Sequence, residues 1–164
     1  VKKISITISL LFICLTAVCQ YDTTAPYLKT RLLPDFKLLT LDSTVFTQTV
    51  LKEKTATVIM LFNPDCGHCQ DQLNTLLSIP AFTQKTQMVL TSTETLAKLK
   101  LFYQKNRLEK YPSIYIGKDN KYFFGGYYQL KTIPLLAFYS AEKKLFFFNQ
   151  GNIKKKQIIQ ALKK

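Results

Sequence analysis

Four cysteines and a single histidine supply the nucleophilic and metal-binding chemistry of this 164-residue chain. Cys14 and Cys19 sit in an apolar N-terminal stretch. Cys66 and Cys69 enclose Gly67 and His68 in the run Phe62-Asn63-Pro64-Asp65-Cys66-Gly67-His68-Cys69. Two thiols at this spacing can exchange with a disulfide. A thiolate attacks, a mixed disulfide forms, and the second thiol displaces the partner. A continuous apolar run, 58–62, precedes the pair, and Cys69, Leu73, Leu76 and Leu77 follow at helical spacing. The pair therefore belongs at a strand-to-helix junction. There Cys66 meets the unpaired N–H groups and positive dipole end of the helix, which favour its thiolate. Cys69 lies one turn further on the apolar face, within reach of Cys66 and away from solvent. The roles that follow are nucleophile for Cys66 and resolving thiol for Cys69. His68, between the two, supports the thiolate and so makes the disulfide more oxidising.

Other uses of the pair fit less well. A structural zinc site takes four ligands, and outside the N-terminal stretch only Cys66, Cys69 and His68 are available as cysteine or histidine. Covalent haem attachment needs histidine directly after the second cysteine, where Gln70 stands. An inert disulfide across two residues would remove almost no loop entropy. The expectation is no metal and no cofactor beyond a redox-active Cys66–Cys69 disulfide.

The elements that must position this pair are legible as an alternation. Segments 36–41 and 45–48 read as a hairpin around Asp42-Ser43-Thr44. The helix after Cys69 should stop before Pro80, and 87–91 reads as a strand. Thr91-Ser92-Thr93-Glu94 has capping-box spacing ahead of a stripe of Leu96, Leu99, Phe102 and Tyr103. Strands follow at 113–116, 135–139 and 144–148. A last helix opens after Gly151-Asn152, with Ile158, Ile159 and Leu162 facing inward. Strands alternating with helices, closed by a hairpin and a helix, predict an α/β sandwich with a mixed central sheet. Aromatic residues at 122–124 and 127–128 either line a substrate groove or pack beneath the sheet.

Lys2 and Lys3 precede the apolar stretch 4–18, as in a targeting segment too short for a comfortable membrane span. The expected division is a signal or membrane-targeting segment over 1–19 and one domain over 20–164. Cleavage before Gln20, acylation of Cys19 and retention as an anchor all stay open. Each places the domain outside the cytoplasm, in the periplasm or an equivalent compartment. The formal charge of +13 comes mostly from scattered lysines, without an arginine cluster or nucleic-acid motif. It reads as a solvated basic surface compatible with membrane proximity, with no nucleic-acid partner.

On these motifs the chain resembles the thioredoxin superfamily, and within it the exported redoxins of the TlpA/ResA type. Segment 33–69 is similar to their hairpin, central strand and active site, and 132–151 to their cis-proline strand, hairpin and glycine. The resemblance implies a thioredoxin fold with an N-terminal β-hairpin extension, and an enzyme of the thiol–disulfide oxidoreductase class. It implies Cys66 as nucleophile, Cys69 as resolving thiol and Pro134 as cis-proline. Thr132, Ile133 and Pro134 then contact substrate, the Ile133 backbone groups unpaired and facing it. Implied partners are disulfide-containing protein substrates and an upstream dithiol donor. An oxidase or isomerase, and a binding module without turnover, are the alternatives. Three positions depart from the pattern. Asp65 replaces an aromatic residue; it can cap the helix, yet its charge opposes the thiolate. Met60 replaces a buried acid, so proton transfer at Cys69 must use water or another group. Asn63 stands where a peroxiredoxin would carry Thr or Ser.

Overall fold

The computed structural model describes residues 25–163. The expected targeting segment, with Cys14, Cys19 and the Gln20 boundary, lies outside them. A short helix, α1 (Pro26–Thr30), leads into the hairpin β1 (Lys37–Leu39) and β2 (Val45–Thr47), antiparallel with Leu38 opposite Phe46. The apolar run forms β3 (Ala56–Leu61), buried at every residue after the first. Helix α2 (Gly67–Leu77) ends before Pro80 as expected, but Pro80 itself begins a further helix, α3 (Pro80–Lys85). Proline is suited to that first position, where its missing N–H has no partner to lose.

Strand β4 (Thr86–Ser92) leads to helix α4 (Leu96–Lys105). The capping box expected from Thr91 does not form, because Thr91 and Ser92 are extended and paired within β4. Thr95 caps the helix instead, its hydroxyl accepting the Lys98 N–H at 3.3 Å. After β5 (Ile114–Lys118) comes a helix the sequence pattern did not reveal, α5 (Phe123–Tyr128). Its six residues carry two glycines and no polar face to betray a period. The buried carboxylate of Asp119 starts it, accepting the N–H groups of Phe123 and Phe124 at 2.9 Å each. Strands β6 (Leu135–Tyr139) and β7 (Leu145–Gln150) and helix α6 (Lys155–Ala161) complete the chain.

The seven strands form one sheet in the order β2-β1-β5-β4-β3-β6-β7. Strands β3, β4 and β5 run parallel, and the remaining pairs are antiparallel. Alternate β3 residues serve opposite faces, as the two-residue period of a strand requires. Val58 and Met60 pack with Leu73, Leu99, Phe102 and Ile158 from the helices on one face. Ile59 and Leu61 pack with Phe124 and Tyr128 on the other. This layering and strand order are those of the expected thioredoxin fold. Ile158 is buried as expected, whereas Ile159 is 36% exposed. One residue turns the helix by about 100°, so both could not face inward.

Gln87 secures the lower end of the central strands. Its amide oxygen accepts the Lys52 N–H at 2.8 Å, and its nitrogen donates to Lys52 O and Thr57 Oγ1 at 2.9 and 3.0 Å. Replacing Gln87 by Leu strands these groups in a site only 1% exposed. The expected loss is about 2–3 kcal/mol of stability, read as a lowered urea midpoint with unchanged reactivity of Cys66.

Candidate active site

The polypeptide leaves the top of β3 at Leu61, and Phe62 still holds the sheet through its N–H to Thr91 O at 3.1 Å. Asn63-Pro64-Asp65 then turns the chain into α2. Cys66 is the N-cap of that helix, with extended backbone, and its sulfur accepts the Cys69 N–H at 3.2 Å. The nucleophile candidate thus receives one of the helix's otherwise unpartnered amides. Asp65, expected as a possible cap, is displaced from that role by Cys66 itself. Both cysteines are free thiols.

Cys69 is fully buried and packs in the same apolar cluster as Met60, Phe62 and Leu73. Burial, reinforced by the hydrogen bond with Cys66, pushes its thiol up to about 12. Cys66 is partly accessible, so only one of the two thiols meets solvent. Gly67 and His68 are exposed on the first turn of α2. His68 makes no hydrogen bond or ion pair with a described residue. Gln72, one turn beyond Cys69 and unnoticed in the sequence, is buried and accepts the Ile153 N–H at 2.7 Å, tying α2 to the approach of α6.

Asp65 belongs to a small charge network. Its carboxylate meets Lys98 Nζ at 2.7 Å, and Lys98 also meets Glu94 at 3.2 Å. Glu94 in turn accepts the Asn63 side-chain N–H at 2.9 Å, while Asn63 Oδ1 accepts the Asp65 N–H at 2.8 Å. The loop bearing Cys66 is thereby fastened to the first turn of α4, and the charge that would oppose a thiolate there is paired. Lys98→Met should slow iodoacetamide alkylation of Cys66 at pH 7 by about two- to fivefold, and Asp65→Asn should speed it. Both effects should fade in 1 M salt, since the partners are exposed. Equal rates in all three proteins at low salt would show the network to be structural only.

The Ile133–Pro134 peptide is cis. Thr132 is exposed, and its N–H donates to Gln150 Oε1 at 3.1 Å. Neither the N–H nor the C=O of Ile133 bonds another described residue. Of the aromatic group left open between groove and packing, Phe124 and Tyr128 are core, the Tyr128 hydroxyl 2.6 Å from that of Tyr139. Tyr122 is exposed and, with Ile133 and Asn63, lines a cavity of about 120 Å³. A larger cavity of about 430 Å³ lies at the far end of the sheet, beside Ala56 and Phe146, remote from the thiols. Among the described residues, no group of three or more His, Cys, Asp or Glu is placed to hold a metal ion.

No protein-family model matches the chain, and no curated relative matches it in sequence. Solved structures do. The pneumococcal exposed lipoprotein thioredoxin Etrx1 from Streptococcus pneumoniae superposes with a TM-score of 0.62 at 19% identity, over 79% of this chain and 98% of that one. A secreted Mycobacterium tuberculosis disulfide oxidoreductase homologous to E. coli DsbE gives 0.63 at 18%, over 78% and 94%. StoA from Bacillus subtilis gives 0.58 at 15%, over 78% and 96%. What these proteins share with this chain is the thioredoxin fold.

Proposed function

We propose that the protein is an extracytoplasmic thiol–disulfide oxidoreductase that reduces or exchanges disulfides of protein substrates. The observation that carries this reading is the arrangement of the two thiols. One is partly accessible at a helix N-cap with an amide on its sulfur, and the other is buried directly behind it. Cys66 attacks a substrate disulfide, forming the mixed disulfide and releasing one substrate thiolate. Cys69, losing its proton as it reacts, attacks the Cys66 sulfur and expels the second substrate thiolate. An upstream dithiol donor then returns the Cys66–Cys69 disulfide to two thiols. The unpaired backbone groups of Ile133 support its role as a substrate-pairing position, and His68 is assigned to tuning of the pair. Export is supported by the targeting pattern over 1–19, read as a segment apart from the domain over 20–164, and by the secreted and surface-exposed proteins that share the fold.

A second reading, a holder that forms mixed disulfides without turning over, is favoured by one observation. Met60, packed in the same apolar cluster as Cys69, offers no proton-transfer group where an acid would serve that thiol. Insulin reduction by dithiothreitol separates the two. The enzyme accelerates precipitation of the insulin B chain, whereas a holder is trapped by partners yet leaves the rate at its background. A measured reduction potential then separates reductase from oxidase.

A further inference from the structure

We propose that the small cavity bounded by Asn63 and Ile133 is a side-chain pocket, selecting substrates with a short, uncharged residue ending in a hydroxyl or amide next to their reactive cysteine. The inference rests on the oxidoreductase reading and names a substrate feature that this reading leaves open. The cavity lies at the upper ends of β3 and β4, beneath the start of α5. Two of its walls belong to the reaction centre. Asn63 accepts the Cys66 N–H on its backbone carbonyl at 3.0 Å, and Ile133 presents its unpaired backbone groups. A substrate strand lying on Ile133 with its disulfide at Cys66 would carry a neighbouring side chain over the cavity.

The cavity mixes polar lining residues, Asn63, Thr91, Ser92, Thr93 and Asp119, with apolar ones. Thr91 lines it, is 1% exposed, and its hydroxyl has no hydrogen-bond partner among the described residues. Buried hydroxyls normally find partners, because leaving one unpaired is costly. Turned toward the cavity, this hydroxyl would be satisfied by a substrate hydroxyl or amide.

Tyr122 forms the mouth, and its placement is specific. Its backbone is left-handed (φ 53°), and its ring lies so closely over Gly125 that any Cβ there would collide with it. Glycine at 125 thus makes room for an aromatic wall that is still 54% exposed. A volume of about 120 Å³ has room for a short side chain such as threonine or asparagine and fits an aromatic ring poorly. The buried Asp119 carboxylate on the lining disfavours an acidic side chain.

The test uses disulfide-linked peptides that carry Ala, Val, Thr, Asn or Phe beside the cysteine, before it in one set and after it in another. Second-order rates of their reaction with the reduced protein are compared. In one set, Thr and Asn should react about fivefold faster than Val and Ala, with Phe slowest. Thr91→Val, nearly isosteric, should erase the Thr-over-Val preference and leave the Ala rate unchanged. Tyr122→Ala should relax the exclusion of Phe. Reaction of all peptides at equal rates would overturn the pocket while leaving the oxidoreductase standing, as would a Thr-over-Val preference that survives Thr91→Val. Failure of every peptide to react would overturn both.

Discussion

Cys69→Ser is expected to accumulate covalent complexes with substrate proteins, and Cys66→Ser to yield none. The first variant keeps the accessible sulfur at the helix N-cap, whose thiolate is supported by the Cys69 backbone N–H rather than by the Cys69 side chain. Attack therefore proceeds, but the serine hydroxyl cannot resolve the mixed disulfide, and the complex persists. Among the described residues, the second variant retains only a thiol with no exposed surface. Non-reducing electrophoresis after incubation with a disulfide-bearing protein should show a difference of about a hundredfold or more in complex. Every trapped band should collapse on adding dithiothreitol. Equal trapping by the two variants would exchange or erase the assigned roles.

The second large effect concerns Cys69 alone. Its thiol lies at about 12, against an ordinary value of 9.0, chiefly because it is buried. Three units mean that at neutral pH its thiolate fraction is lower by about a thousandfold. In Cys66→Ser, which removes the Cys66 contribution and leaves burial, iodoacetamide should label Cys69 more slowly in the folded protein than in urea, by about a hundredfold or more. The rate should climb about tenfold per pH unit above neutrality. The sign for stability follows from the same shift. The folded state holds this proton more tightly than the unfolded chain, so the resulting stabilisation is complete below about pH 9 and is lost as pH rises toward 12. Cys69→Ala should remove that alkaline loss. Rapid labelling of folded Cys66→Ser at pH 7 would mean that the resolving thiol is exposed, and the division of labour between the two cysteines would fail with it.

Met60 connects these expectations to turnover. An acid at that position would hold or receive the Cys69 proton during resolution. A methionine can do neither, so the proton must leave by another route. Slow resolution and long-lived mixed disulfides are expected from the same apolar packing that raises the thiol.

Much of this arrangement is carried by local sequence. An apolar run too regular for a loop specifies β3, a proline-containing turn ends it, and leucines at helical spacing define α2. These signals alone put Cys66 at a helix start and Cys69 on its inner face, because strand and helix periods are set by the backbone. The outer hairpin, β4 to β7 and the buried face of α6 at Ile158 are readable for the same reason. Four outcomes needed the tertiary structure. Helix α5 has no polar face, so its aromatic residues do not reveal whether they sit in core or groove until Asp119 and the sheet place them. Thr91 looks like a capping residue until parallel pairing with β3 holds it extended, which passes the cap to Thr95. Asp65 reads as a charge opposing a thiolate, and only the approach of α4, thirty-three residues later in the chain, supplies Lys98 to pair with it. The cavity under Tyr122 draws its walls from β3, β4, α5 and the cis-proline turn, segments far apart in sequence whose meeting is decided by sheet order. Short-range periodicity thus determines where the thiols lie and which is accessible. The charge, cavity and backbone groups around them are long-range contacts, and these exist only once the sheet has assembled.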